Sequence, residues 1–394
     1  MKAGARSEPP RGFARAEFEA RTARAQARMA ESGLDALLLT TEPEVRYFSG
    51  FLTRFWESPT RPWFLLVPQN GAPTAVIPGI GAECMARTWI EDVRTWSSPT
   101  PADEGLSLLA ETMRERLGPR ARIGLPHGPE THLRLPLADF SALRARLPGY
   151  VFSDDAGIVR RLRMIKSPAE REKIAHVCAL VSGVFEAAPA WLAPGVSERE
   201  IFRRFKIACL EAGVDDVVYL VGGAGPGGYG DIISPPGDRA LRAGDVLMLD
   251  TGCTFDGYFC DFDRNFALGA PDAAAKDAYA LLFEATEAGF DAARPGARAA
   301  DVFHAMNRVL TAGGAAEGDV GRMGHGLGMQ LTEWPSHAAW DETEIEDGMI
   351  LTLEPGMTLA PGLVMVHEEN IAIEADGPVC LTRRAPKEMP VIPA

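Results

Sequence analysis

The stretch Asp250-Thr-Gly-Cys-Thr-Phe-Asp-Gly-Tyr-Phe-Cys-Asp-Phe-Asp-Arg264 reads as a β-hairpin. Apolar, β-prone residues run from Val246 to Phe255 and again from Tyr258 to Leu268. Between them, Asp256-Gly257 suits a type I′ turn, whose two central residues both need φ > 0. A two-residue turn sets the register: Phe255 faces Tyr258, Gly252 faces Asp261, and Asp250 faces Asp263. Side chains alternate faces with period two, so Asp250, Asp261 and Asp263 share one face and Gly252 leaves open space opposite Asp261. Like charges paired across a sheet repel. Three carboxylates there call either for water, on a solvent-facing polar side, or for cations. Diagonal cross-strand neighbours lie about 7–8 Å apart. That leaves room for oxygen ligands around one ion, or around a pair about 3.5–4 Å apart.

At 394 residues the chain exceeds the length over which one core grows, roughly 250–300 residues. Two domains are expected, 1–160 and 161–394. The net charge of −14, from 40 basic and 54 acidic residues, argues against a nucleic-acid or anionic-membrane partner. Residues 1–13 carry Arg and Pro but no apolar core of a secretory signal. No run approaches the roughly 18 apolar residues that span a bilayer, so a cytoplasmic location is expected. The six cysteines are scattered, and Cys253 and Cys260 have the wrong spacing for a zinc knuckle. The hairpin register sets these two opposite each other. Geometry allows a disulfide there, whereas a cytoplasmic compartment favours two buried thiols.

Before residue 160, helical patterns (14–33, 106–117) alternate with apolar strand patterns (35–40, 61–68, 75–78, 121–125), as in a small α/β domain. Arg54, Trp56 and Glu57 form a polar-aromatic cluster, read either as a surface loop or as a ligand or subunit contact. The basic run Arg160–Lys166 leads into Ser167-Pro-Ala-Glu170, a capping box with Pro at N1 that opens a helix to about residue 191. Ser197 and Glu200 open another helix in the same way. Residues 222–230 hold six glycines among nine but no P-loop lysine, so they read as a flexible loop near a pocket. Helices follow over 272–293 and 298–312. Beyond them, polar residues end apolar strands: His325 in Gly324-His-Gly-Leu-Gly328, Glu354 in Leu353-Glu-Pro-Gly356, and Glu368-Glu369 after Leu363-Val-Met-Val-His367. Carboxylates with one imidazole favour Mn²⁺, Fe²⁺, Co²⁺ or Zn²⁺ over copper or iron–sulfur clusters.

The ordered motifs Asp-x-Gly-x4-Gly-Tyr-x2-Asp-x2-Arg, Gly-His-Gly-x-Gly, Leu-Glu-Pro-Gly and His-Glu-x-Asn resemble the creatinase/prolidase/aminopeptidase P group, the M24 metallohydrolases. The match covers residue 160 onward, and residues before it look like the same group's smaller domain. The resemblance implies an α+β protein: a C-terminal pita-bread domain behind a smaller N-terminal α/β domain. It implies Asp250, Asp261, His325, Glu354 and Glu368 as ligands of two divalent ions, Mn²⁺ before Fe, Co or Zn, with Asp261 and Glu368 bridging. It implies Glu354 as the proton-transferring residue, a short-peptide or similar small-molecule substrate, and a homodimer. Asp263 stands where the group usually has threonine.

The substrate side departs from that pattern. Thr332, in Thr332-Glu-Trp-Pro335, replaces a histidine that peptidases use on substrate. Residues 231–239 lack a second such histidine, and Val366 replaces an arginine. Thr332, Trp334, His337, His367, Arg54 and Trp56 are the candidate substrate contacts. The expected activity is amide hydrolysis by a metal-activated water. The alternatives are a non-peptidase metalloenzyme of the same fold, similar to a dimethylsulfoniopropionate lyase, and a non-catalytic binding protein. The lyase group's tyrosine before the ligand histidine is not evident in 317–324.

Overall fold

A computed structural model describes residues 8–58, 61–315 and 321–394. The chain divides into two units, Pro10–Arg163 and a second comprising chiefly Met164–Ala394.

In the first unit, α1 (Arg15–Ser32) buries Phe18, Thr22, Ala25 and Met29, one stripe at helical spacing. Gly33 ends it in the left-handed region at φ 64°, where a Cβ is costly. Strand β1 (Ala36–Leu39) is buried along its whole length. After α2 (Glu42–Ser49) come β2 (Phe64–Pro68), β3 (Thr74–Pro78), α3 (Ala82–Met85), β4 (Asp92–Trp96), α4 (Leu106–Leu117), β5 (Arg122–Leu125), α5 (Leu137–Arg146), β6 (Val151–Asp154) and α6 (Ile158–Met164). The strands form one mixed sheet in the order β4-β3-β2-β1-β5-β6. The adjacent pairs β1–β2 and β2–β3 are antiparallel, and the rest are parallel.

The second unit opens with α7 (Pro168–Ala187). Ser167 caps it by accepting from the Glu170 amide, and the Glu170 side chain returns the bond. With its short extension to Ala190, this helix is long and apolar enough to cross a membrane, which the sequence reading did not anticipate. It packs against α8 (Glu198–Ala212) and the central hairpin, and its apolar residues Ile174, Val177, Val181 and Phe185 are buried there. Two of its polar side chains also point inward. Lys173 meets Asp256 at 2.8 Å, and Glu170 accepts from the Tyr258 hydroxyl at 2.9 Å.

Strands β7 (Asp216–Pro226), β8 (Asp245–Phe255), β9 (Tyr258–Phe259) and β10 (Phe262–Leu268) form the first sheet of this unit, with a two-residue strand, Val391–Ile392, beside β10. Helices α9 (Ala273–Ala292) and α10 (Ala299–Ala312) follow. A second sheet contains β11 (His325–Gly326), β12 (Glu333–Ser336) and β13 (Ile350–Leu353). The ribbon β14 (Gly356–Ala360) and β15 (Leu363–Val366) leads to β16 (Glu369–Glu374) and β17 (Gly377–Cys380), which complete that sheet in the order β12-β11-β13-β16-β17. The core includes Val246 and Met248 of β8, Leu282 of α9, Met306 of α10, and Leu351, Leu353 and Ile371 of the second sheet.

Two sequence expectations change here. Residues 222–226 are not a flexible loop but the end of β7, paired with β8 through Gly225↔Val246. Glycine is required for that pairing: Gly222 has φ 136°, and a Cβ on it would strike the Met248 carbonyl. The space beside Gly252 is not open either, because a Cβ there would collide with Leu331 Cδ1. All six cysteines, Cys253 and Cys260 included, are free thiols.

Candidate metal centre

Asp256 and Gly257 both have positive φ, 46° and 68°, as the turn chemistry requires. Phe255 pairs with Tyr258, and Asp250 pairs with Asp263. The amide of Cys260 donates to the Cys253 carbonyl at 3.0 Å, so the same register brackets Gly252 opposite Asp261. The three aspartates therefore lie on one face of the hairpin.

Three other segments reach that face. His325 begins β11, and its amide donates to Thr352 Oγ1 at 3.0 Å. Glu354 follows β13, and its amide donates to the Met323 carbonyl at 3.0 Å. Glu368 lies between β15 and β16, and its amide donates to Asp263 Oδ1 at 2.5 Å. His325 Nε2 stands 3.5 Å from Asp261 Oδ2 and 3.9 Å from Glu354 Oε2. One donor atom each from Asp261, His325 and Glu368 falls within 4.8 Å of the others, and all three residues are buried.

The hydrogen bonds around these donors fix their orientation. His325 Nδ1 lies 2.9 Å from the Gly326 carbonyl, which can only accept, so the proton sits on Nδ1 and Nε2 keeps its lone pair. Asp261 is held through its backbone: its amide donates to Asn370 Oδ1 at 2.9 Å, and the side-chain Nδ2 of Asn370 donates to the Asp261 carbonyl. Asp263 spends both oxygens on the Glu368 amide and, at 3.1 Å, on Asn265 Nδ2. Arg264 binds the Glu368 carbonyl at 3.0 Å and Glu369 Oε2 at 3.0 Å. Glu369 also accepts from the Ala385 amide at 2.7 Å, which makes it a structural anchor beside Glu368.

Burial dominates the electrostatics. It pushes Asp250 up to about 8, with Glu354 adding repulsion. Burial holds Glu354 up to about 7, against the lowering pull of Arg322. Asp261 and Glu368 are pushed well above the usual carboxylate range, first by burial and then by their carboxylate neighbours. Burial also lowers His325 to about 4, so its ring is neutral. Asp250 Oδ1 and Glu368 Oε1 are buried with no hydrogen-bond partner among the described residues. Orphaned acceptors of this kind are costly unless protonated or bound by a cation. A hard divalent ion fits this donor set of carboxylate oxygens and one free imidazole nitrogen.

The candidate substrate contacts separate. Thr332 and Trp334 are half-buried; the Trp334 Nε1–H donates to Thr343 at 2.9 Å and its ring lies 5.6 Å from Trp340. His337 is fully buried, and both ring nitrogens lack hydrogen-bond partners among the described residues. His367 is buried between Tyr279 and Phe283, with Nδ1 2.9 Å from Thr286 Oγ1. His367 is a core histidine, because the alternation that brings Glu368 to the cluster turns His367 toward α9. Arg54 and Trp56 belong to the first unit, where Trp56 packs 5.7 Å from Trp63 and Arg54 precedes a single 3-10 turn. Residues 317–320 of the segment searched for a tyrosine lie outside the described residues.

Sequence reasoning missed Tyr219, Arg322, Asn370 and Lys166. Tyr219 is half-buried on β7 opposite Gly252, and burial and then Asp250, Asp261, Glu354 and Glu368 raise its phenol. The glycine-rich sequence after it hid the strand that carries it. Lys166 lies 3.1 Å from Glu333 Oε2, a pair that no spacing rule links.

Comparison with known proteins agrees with this architecture. Residues 172–375 match the family model of metallopeptidase family M24, and residues 21–165 match the creatinase/prolidase N-terminal domain. The chain is 30% identical to the probable dipeptidase PepE of Mycobacterium tuberculosis, over 95% of this chain and 97% of the relative. It is 26% identical to the Xaa-Pro dipeptidase of Lactobacillus delbrueckii subsp. lactis, over 92% and 96%. The crystal structure of dipeptidase PepE from Mycobacterium ulcerans superposes with a TM-score of 0.85 at 29% identity, over 97% of this chain and 100% of that one. With an acidic hairpin and its histidine partner set in a pita-bread domain that follows a creatinase-type N-terminal domain in sequence, the chain belongs to metallopeptidase family M24.

Proposed function

We propose that this chain is a dinuclear metal-dependent hydrolase that cleaves an amide bond in a short peptide or similar small molecule. The observation that carries the reading is the convergence of Asp261, His325 and Glu368 within 4.8 Å, beside the orphaned oxygens of Asp250 and Glu368. Asp250, Asp261, His325, Glu354 and Glu368 would hold the ions, with Asp261 and Glu368 shared between them and Mn²⁺ the preferred metal. When bound, such ions acidify a water and polarise a carbonyl.

The protein's own groups then have distinct tasks. Glu354 is more exposed than Asp261 and Glu368, with 31% of its side chain accessible. Beside the cluster it is placed to take a proton from the attacking water and return it to the leaving amine. His325 stays neutral and oriented by Gly326. Asp263 and Arg264 grip the backbone of Glu368, so that carboxylate keeps its aim. The names of the relatives make Xaa-Pro dipeptides the first substrates to try.

A second reading is a non-peptidase metalloenzyme of the same fold acting on a small carboxylate. It is favoured by one observation: His367 packs against Tyr279, Phe283 and Thr286 and does not replace the histidine that Thr332 displaced. Turnover of Xaa-Pro di- and tripeptides by Mn²⁺-loaded protein, with a metal-stripped control, separates the two. Metal-dependent cleavage is the expected result. No cleavage, with two ions still bound per chain, would refute the amide-hydrolase reading and leave the second.

A further inference from the structure

Glu368 sits where no strand ladder reaches. Residues 367 and 368 form the break between β15 and β16, and other groups hold their backbone. The His367 amide donates to the Pro355 carbonyl at 3.1 Å, and Arg264 Nη1 donates to the Glu368 carbonyl at 3.0 Å. Three buried side chains in a row supply the remaining bonds. Asp263 Oδ1 accepts from the Glu368 amide at 2.5 Å, and its Oδ2 accepts from Asn265 Nδ2 at 3.1 Å. Asn265 Nδ2 also donates to the Val366 carbonyl at 2.8 Å. The Tyr229 hydroxyl donates to Asn265 Oδ1 at 3.1 Å and accepts from the Val366 amide at 2.7 Å.

This row has a single polarity. A carboxylate and a carbonyl only accept, so both must meet the Asn265 amide nitrogen, which turns the Asn265 oxygen toward Tyr229. Burial pushes the Tyr229 phenol up, so it stays neutral and can donate to that oxygen. Tyr229 is 1% exposed, and its backbone bonds that of Val364 in both directions, at 2.7 and 3.3 Å. It therefore fastens the glycine-rich segment beyond β7 to β15, the strand that runs into Glu368. Glu368 Oε1 has no hydrogen-bond partner among the described residues, so the aim of that carboxylate is inherited from its backbone.

We propose that Tyr229 is a positioning residue for the metal centre: through Asn265 and Asp263 its hydroxyl fixes the Glu368 peptide and so the aim of the Glu368 carboxylate. This deepens the metal-site reading proposed above and rests on it. Removing the hydroxyl leaves the Val366 amide and Asn265 Oδ1 without their partner together, and Asn265 is then free to turn away from Asp263. A ligand held in place before the ion arrives needs no ordering when the ion binds. Partners that orient a ligand in this way typically carry a 10–100-fold share of metal affinity.

The test measures Mn²⁺ affinity of the full chain by competition with a chromogenic chelator, beside urea unfolding of the metal-free protein. Tyr229→Phe keeps the ring and removes no ligand, and its affinity should fall about 10–100-fold. Tyr279→Phe is the control. It deletes another buried phenol of the same unit, bonded to the Pro386 carbonyl at 2.7 Å, and should lower the urea midpoint while leaving Mn²⁺ affinity as it was. Asn265→Ala breaks the same row at its middle and carries the test should Tyr229→Phe fail to fold. It should match the loss in Tyr229→Phe, and the double variant should bind no more weakly than the weaker single one. Unchanged affinity in the folded variants, an equal fall in Tyr279→Phe, or additive losses in the double variant would overturn the assignment and leave the hydrolase reading intact. Two ions bound without peptide turnover would overturn the hydrolase reading alone, and no Mn²⁺ binding by the unsubstituted protein would overturn both.

Discussion

The buried pair Lys166–Glu333 gives a sharp test of how the wall beside the cluster is held. The two charges are 3.1 Å apart, with side chains 2% and 6% exposed. At an effective dielectric constant of about 20 their attraction is roughly 5 kcal/mol. Glu333 Oε1 also accepts from the amides of Met329 at 2.9 Å and Gln330 at 3.2 Å. That ties down the loop whose Leu331 covers Gly252. Lys166→Met should remove the ammonium from this buried carboxylate and cost about 3–5 kcal/mol. Glu333→Gln should strand a buried ammonium and weaken the loop tether, at a similar cost. The double variant removes both charges and should be far less destabilised than the sum, with a coupling energy of about 2–3 kcal/mol. Urea unfolding of the four metal-loaded proteins completes the cycle. Single-variant costs that add to within about 0.5 kcal/mol would refute the argument, because independent sites add that closely.

Other outcomes follow from the same geometry. Asn370→Ala should weaken metal affinity about 10–100-fold without removing a ligand, since Asn370 holds the Asp261 backbone; competition with a chromogenic chelator measures it. In the metal-free protein Asp250 and Glu354 have raised pKa values, about 8 and about 7, so near pH 7 Asp250 is largely and Glu354 about half protonated. Their stabilising contribution is full below the unfolded carboxylate range near 4 and is lost as pH rises through 7 to 8. Cation binding at pH 7 should therefore release at least roughly one proton per chain. Calorimetry in two buffers of different ionisation heat reads it, and identical heats would contradict the assignment. Neutral His325 adds nothing to that count. Ser167→Ala should cost about 1 kcal/mol in thermal or urea unfolding by removing the cap of α7.

The hairpin was legible because its signal is local. Asp256-Gly257 dictates the turn, the turn dictates the register, and the register places Asp250 against Asp263. The Ser167–Glu170 capping box was legible for the same reason. What the sequence concealed is non-local or is masked by composition. Six glycines among nine residues read as a loop, yet Gly222 and Gly225 let β7 lie close to neighbouring backbone, and the strand they hid carries Tyr219. His367 reads from sequence as an ordinary strand residue before a spare site histidine, and the neighbours in space that bear this out, Thr286, Tyr279 and Phe283, are far away in sequence. Glu333 sits in the Thr332–Pro335 run, and nothing in that run announces Lys166, 167 residues earlier.

The turn at Asp256-Gly257 carries a further implication for how this chain can change over evolutionary time. It has no slack: two residues span it, Lys173 bonds the Asp256 carboxylate at 2.8 Å, and Asp215 receives the Asp256 amide at 2.6 Å. A single inserted residue would change the parity of one strand relative to the other and send Asp261 and Asp263 to the opposite side from Asp250. The hairpin thus behaves as a reading frame, tolerant of altered letters and intolerant of altered count. Residues 329–332 have no such constraint of parity, since they form a tethered loop rather than a paired strand. Novelty in what the protein accepts is therefore expected to accumulate in that loop, while the length of the acidic hairpin stays fixed.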